Sequence, residues 1–439
     1  MKGEKMKNII LGLQWMLFII ASSIAVPISV SDLFMLNGHE TLILMQNTLF
    51  ILGIAGCLQG FLGHRMPVAE SPAGLWWSVL TVYSGLIASG YATNIEVLQI
   101  FSGGMIFSGV LFLLLSLSGL MEKMAVIFTP TVTFIYLLLL TLQLSGTFIR
   151  GITGINLQNQ EVDVITAILG ILIIMLTFYL GSSSNQRIRQ FSILLSIGAG
   201  WIAFIIFNKT GNIIFDDKII NLPRPLAFGM PKIESGMMFT AFFITFLLIM
   251  NMLASINIMG TVIGDNEKNL SKKYKKSGVI SGINQILGGS FNTVGTVPVS
   301  SSAGFVAQIR EKSMVPYLLG CIFISFISLF PKFINIMAAL PSAIGYSVTF
   351  VLFSKMISMA LFELKKVIDE EHSYAIIGIS LLSGVGMFFL PHSALSGLPS
   401  VVSAFVGNGL IAGSLLGIVL EQIFLFKKRR LKRKIKTDI

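Results

Sequence analysis

Apolar runs of about twenty residues, the length a helix needs to cross a bilayer, recur along the whole chain between short polar breaks. Run length and breaks predict segments at 8–28, 41–63, 67–88, 98–119, 124–145, 164–182 and 191–208 in the first half. In the second half they fall at 235–258, 275–290, 291–309, 314–331, 335–361, 373–390 and 398–425. With an odd number per half, the second half enters the membrane from the opposite side. The expected fold class is an all-α membrane protein of fourteen transmembrane segments in a 7+7 inverted repeat.

The third and tenth segments are not written as lipid-facing helices. FNTVGTVPVSSSAGFVAQIR, residues 291–310, follows Gly288 and Gly289 and carries Gly295, Pro298, three serines and Gly304. Irregular backbone at membrane depth is tolerated only where protein or a water-lined cavity supplies hydrogen-bond partners. PVAESPAG (67–74) resembles PVSSSAG (298–304), about half a chain away. Two such interrupted segments at corresponding places in two halves point to a transporter binding site built from broken helices. The competing reading is a pair of small-residue patches for close helix packing.

Composition places the chain among integral membrane proteins: 54% of its 439 residues are hydrophobic, 12% are charged, and the mean hydropathy is +0.84. Soluble domains carry about 25% charged residues. The net charge of +11 does not indicate nucleic acid, because the basic residues sit between apolar runs and in the tail 427–436. With the N-terminus inside, the cytoplasmic connections hold Lys2, Lys5, Lys7, Arg65, Lys123, Arg187, Arg189, the lysines of 268–276, Arg310, Lys312, Lys365, Lys366 and the tail. The outer ones hold only Arg150, Lys209, Lys218, Arg224, Lys232 and Lys332. This is the positive-inside distribution, with both termini cytoplasmic and anionic lipid the contact for the tail. Cys57 and Cys321, both in apolar runs, form neither a disulfide framework nor a metal cage. The run 8–28 is long for a signal peptide and is read as the first span.

Ionisable residues inside spans are functional candidates. Glu70 lies in the first interrupted segment, where pairing with Arg65 is the bland alternative; Lys355 and Glu421 are long enough to snorkel. Asn251 and Ser255 share one face of the eighth segment. A half-helix beginning at Ser300, Ser301 and Ser302 ahead of Gly304 would aim backbone N–H groups and hydroxyls into the cavity. Such a site suits a small polar ligand or an anion. No HExxH or P-loop is present, and His39, His64, His372 and His392 fall at span ends or loops, so an enzyme is not expected, nor a metal or cofactor.

These stretches resemble the nucleobase/ascorbate transporters, the second nucleobase/cation symporter family, which includes bacterial uracil, xanthine and uric acid permeases. GLQWML (12–17) is similar to the family's first span, RMPVAESPAG (65–74) to its third segment and FNTVGTVPVSSSAGFVAQ (291–308) to its tenth. ALPSAIGYSVTFVLFSKMI (339–357) and LPHSALSGLPSVVSAFVGNGLIAGSLLGIVL (390–420) are similar to the twelfth and fourteenth. The resemblance implies a core domain (1–120 and 235–333) moving like an elevator against a gate domain (121–210 and 334–426), with a basic tail at 427–439, commonly in a homodimer in the plasma membrane. It implies a nucleobase bound between the third and tenth segments and carried with a proton.

The residues and the resemblance together nominate Gln14, Trp15, Glu70, Ser71, Ala73, Gly74, Asn251, Ser255, Ser300, Ser301, Ser302 and Gly304 for the substrate, and Glu70, the one carboxylate left near the cavity, is read as serving either the ligand or a coupling proton. The departures fall in this set. Asn251 stands where the family has Glu, Ser255 where it has Asp or His, Ser301 where it has Glu or Gln, Ser302 where it has Asn, and Trp15 where it has His. The leading expectation is a permease for a purine or related nucleobase. An anion or other small-solute carrier on the same fold, or a non-transporting membrane receptor, stays open.

Overall fold

The computed structural model describes residues 2–87, 92–121, 127, 129–155, 160–185, 188–189, 191–210, 219–265, 267–367, 370–395 and 398–437. Lys123, Arg187 and Lys218, the segment start at 124–126, and positions 396–397 of the quoted fourteenth-segment motif lie outside these residues. The described chain is helical apart from two three-residue strands. In order the elements are α1 (Lys2–Ser23), α2 (Ala25–Leu33), α3 (Gly38–Phe61), β1 (Glu70–Pro72), α4 (Gly74–Ile87), α5 (Asn94–Leu117), α6 (Pro130–Ile152), α7 (Val164–Gly181) and α8 (Ser192–Ile206). The second half gives α9 (Ser235–Ile263), α10 (Glu267–Ser290), β2 (Thr296–Pro298), α11 (Ser301–Ile309), α12 (Met314–Ile327), α13 (Pro331–Ala338), α14 (Ser342–Leu364), α15 (Glu370–Phe388), α16 (Ser400–Val406) and α17 (Gly409–Thr437).

Among the described residues, eight helices are long and apolar enough to cross a bilayer, or nine with the bent pair α12–α13 counted as one. The count of fourteen adds elements that are shorter or more polar: α4, α8, α10, α11 and α15 among them. Helix starts follow local chemistry. Thr129 caps α6 by accepting from Val132 N, with Pro130 at the first helical position. Asn37 and Thr93 each form a capping box, with Glu40 and Glu96 respectively.

Three expected segments are divided. The first breaks at Ile24 into α1 and α2, where Pro27 removes the hydrogen bond to the carbonyl four residues back. The run 335–361 is split because Pro331 opens α13 and Pro341 precedes α14, and the chain before a proline avoids helical backbone; α12 and α13 meet at 92°. The last segment is α16 plus α17, separated at Gly407 and Asn408, whose Oδ1 accepts from Ile411 N at 3.3 Å. The fifth segment, expected at 124–145, runs as α6 over Pro130–Ile152.

Packing sorts most helices into two groups. In one, α5 lies along α10 and α9, and α1 and α3 lie along α12; in the other, α14 packs on α6 and α7, α17 on α15 and α6, and α8 on α7. Small residues set these approaches. A Cβ at Gly12 would stand 2.8 Å from Leu319 Cβ, and one at Gly409 would stand 2.0 Å from the Gly384 carbonyl oxygen. Such contacts are the usual means of association where lipid supplies no hydrophobic driving force between helices.

Candidate functional site

β1 and β2 pair antiparallel, Glu70 opposite Pro298, Ser71 opposite Val297 and Pro72 opposite Thr296. The pairing extends by Ala73 N to Gly295 O (2.7 Å) and Val299 N to Ala69 O (3.0 Å). The two prolines supply no N–H, and three residues leave little ladder, so neighbouring helices complete it. Gln285 of α10 donates from Nε2 to Thr296 O (2.7 Å) and accepts from Trp76 Nε1 at Oε1 (2.9 Å). Ser255 of α9 donates to Pro298 O (2.9 Å), Ser71 donates to Ser22 O (3.1 Å), and Ala69 N donates to Ser302 Oγ (2.9 Å).

Each strand leads straight into a half-helix, α4 after β1 and α11 after β2. Because the strands are antiparallel, the half-helices leave in opposite directions and turn their N-termini toward one crossing. The first turn of each leaves backbone N–H groups without intrahelical acceptors, and the helix dipoles add positive potential there.

The nominated residues divide by what they touch. Ala73 and Gly74 form the turn into α4, and Ser300, Ser301, Ser302 and Gly304 form the first turn of α11. Ser71, Ser255 and Ser302 are buried, and their hydroxyls are engaged by the crossing itself. Ser301 and Gly304 are exposed, and a Cβ at Gly304 would meet nothing within 4 Å. Asn251 lies one turn before Ser255 on α9; it is half-buried, and its amide takes no side-chain hydrogen bond among the described residues.

Two nominated residues point elsewhere. Trp15 is fully buried in an aromatic cluster with Phe18, Phe305 and Tyr317, ring centroids 5.7, 4.7 and 5.2 Å away. Glu70 is 2% exposed. Strand alternation sets it opposite Ser71, which faces α1, so its carboxylate lies on the side of Tyr317 and Cys321 of α12. Glu70 Oε1 and Thr296 Oγ1 are both buried on the same face of the strand pair, where the Thr296 hydroxyl faces the Glu70 carboxylate. Arg65 bonds to Phe61 O instead of Glu70. Gln14 lies two turns before Ser22, about 12 Å along α1 from the strand contact.

Sequence reading missed an aromatic plug over the α4 end. Trp77 of α4 packs on Phe148 of α6 (5.3 Å) and on Tyr346 and Phe353 of α14 (6.3 and 6.1 Å). The Phe353 ring reaches 2.9 Å from where a Gly74 Cβ would stand. These rings come from three helices distant in sequence, and aromatics on apolar helices carry no local mark.

Residues 6–393 match a family model described as Permease family. The chain is 38% identical over 437 residues, 99% of each chain, to YwdJ of Bacillus subtilis (strain 168), which is assigned as a purine permease. It is 26% identical to the uric acid permease PucJ (98% and 95% covered) and 24% identical to the xanthine permease (97% and 95%) of the same organism. In fold it is similar to the transmembrane domain of the cyanobacterial bicarbonate transporter BicA (TM-score 0.61, 14% identity, 94% and 96% covered). It is also similar to the murine Slc26a9 anion transporter (TM-score 0.62, 11% identity, 96% and 68% covered). The chain therefore belongs to this permease family, the nucleobase/ascorbate transporters.

Proposed function

We propose that the chain is a secondary transporter for a purine or related nucleobase, holding its ligand at the open start of α11. One observation carries the reading: a first turn exposed at Ser301 and Gly304, set on a crossing strand pair, with a glycine whose Cβ direction is empty. A planar base can approach that backbone closely because nothing stands on Gly304. The Ser301 hydroxyl and the Asn251 amide then offer donors and acceptors to the base edge. The names of the purine, uric acid and xanthine permeases among its relatives support the ligand class.

In this reading the helices around α5, α9, α10 and α12 form a core that moves as an elevator against a gate of α6, α7, α8, α14, α15 and α17, with the lysine-rich ends cytoplasmic in a plasma-membrane homodimer. Glu70 carries a coupling proton from beneath the strand pair, without touching the base. Its carboxyl is buried on the strand face that carries Thr296, away from the exposed turn of α11.

Liposomes holding the purified protein test this with labelled xanthine, urate, hypoxanthine, uracil and sulfate. Saturable purine accumulation, competed by a second purine and not by sulfate, is expected. Saturable binding without flux would make the chain a receptor instead. Glu70→Gln is expected to remove the pH dependence of uptake; an unchanged profile defeats that role. A second reading, an anion carrier, draws on helix N-termini and serines with no carboxylate on α9 or α11; it requires sulfate flux.

A further inference from the structure

A cavity of about 260 Å³ lies between α9 and α17, where the two helix groups meet away from the strand crossing. Apart from Ser414 its walls are apolar side chains, Phe242 and Phe246 from α9 and Ile411, Leu415 and Ile418 from α17 among them. Phe242, 38% exposed, stands at its rim. At its other end Ile127 borders it, held by Gln422 of α17 through the Ile127 carbonyl (3.3 Å).

The helix that forms one wall continues without a break into the basic tail: α17 runs to Thr437 through KKRRLKRKIK, with no acidic residue in that run. Lys427, the first of these, is exposed, and Lys428 sits 5.6 Å over the Phe424 ring. At about 1.5 Å per residue, Ile418 lies about 14 Å and Ile411 about 24 Å below Lys427 along the axis. An acyl chain hanging from a headgroup at the membrane surface occupies that depth, since one leaflet contributes half of a hydrocarbon layer about 30 Å thick.

We propose that an anionic phospholipid of the leaflet on the tail side binds here, one acyl chain filling the cavity and its headgroup held by Lys427 and Lys428. Charge selects the headgroup, because a row of lysines and arginines at the bilayer surface attracts anionic lipid. The apolar slot selects a chain over a polar solute. The site is independent of which solute the permease carries.

Delipidated full-length protein in detergent, titrated with phosphatidylglycerol or phosphatidylcholine and read by native mass spectrometry, tests the site. The wild type is expected to retain phosphatidylglycerol roughly tenfold better than phosphatidylcholine. Ile418→Trp, which fills the slot, is expected to abolish retention of both, and Phe246→Trp does the same from the opposite wall should the first variant fold poorly. The double variant Lys427→Gln/Lys428→Gln keeps lipid but loses most of the preference. Equal retention of the two lipids by the wild type, or undiminished phosphatidylglycerol in both tryptophan variants, overturns the proposal.

Discussion

The two interrupted segments share a plan, a three-residue strand and then a half-helix, yet their surroundings differ. At the α4 end, Gly74 lies under Phe353, and Trp77 is sealed by Phe148 and Tyr346. At the α11 end, Ser301, Gly304 and Ala307 are exposed along one face of a nine-residue helix, which ends at Arg310 in left-handed backbone (φ 55°). The half-helices are therefore not equivalent places for a ligand. One is closed by rings from the other helix group, while the other presents bare backbone.

The largest expected effect tests the open end. Gly304→Leu puts a side chain into empty space, so the fold should survive while uptake falls to background. Solute flux with unchanged size-exclusion behaviour checks this, and wild-type flux would remove α11 from the ligand's path. At the closed end, Trp77→Ala removes a fully buried ring and is expected to cost about 3–5 kcal/mol, seen as a lowered melting temperature in detergent. An unshifted melting curve would mean that the plug holds nothing together.

Two adjacent serines sharpen the contrast within α11. Ser302→Ala strands the buried Ala69 N–H, at about 1–3 kcal/mol of stability. Ser301→Ala should leave the melting temperature unchanged and raise the KM for uptake, because its hydroxyl is exposed and takes no hydrogen bond among the described residues. The reverse pattern would exchange their roles.

The smallest effect concerns the connections into each crossing. The second is tied by Asn292, which accepts from Phe228 N and donates to Ser102 Oγ (2.8 Å), and has nothing to titrate. The first is tied by His64, in the turn between α3 and β1, fully buried with Nδ1 accepting from Met66 N (3.1 Å). Burial, with Lys273 adding to it, pushes the His64 pKa down to about 3. Below about pH 6.5 the unfolded chain takes up a proton that the folded chain refuses, so stability falls with pH, by about 2 kcal/mol at pH 5. Melting temperatures of the wild type and His64→Gln across pH 5 to 8 should diverge toward acid; parallel curves would show that the tie does not titrate.

Much of the fold was legible because the bilayer imposes a length on every apolar run, and glycine, proline and serine inside such a run have few other uses. PVAESPAG and PVSSSAG could be paired from spelling alone, whereas the divisions at Pro341 and at Gly407–Asn408 fell inside segments expected to be whole. The site was less legible. Ser71, Ser255 and Ser302 read like ligand-binding hydroxyls but hold the crossing together. Trp15 took its place in a family motif and packs in an aromatic cluster instead. Glu70 was expected beside the cavity and lies buried on the strand face opposite Ser71.

Run length, charge placement and the two broken stretches thus carried the membrane class, the repeat and the position of the crossing, since these depend on local chemistry and on a solvent common to every segment. Which hydroxyls are free, which way a strand residue faces and which half-helix end is open depended on side chains brought together from helices up to hundreds of positions apart. A period of two places Glu70 opposite Ser71, but it cannot say which of those faces meets α1. Packing settles that, and with it the place where a ligand can reach backbone.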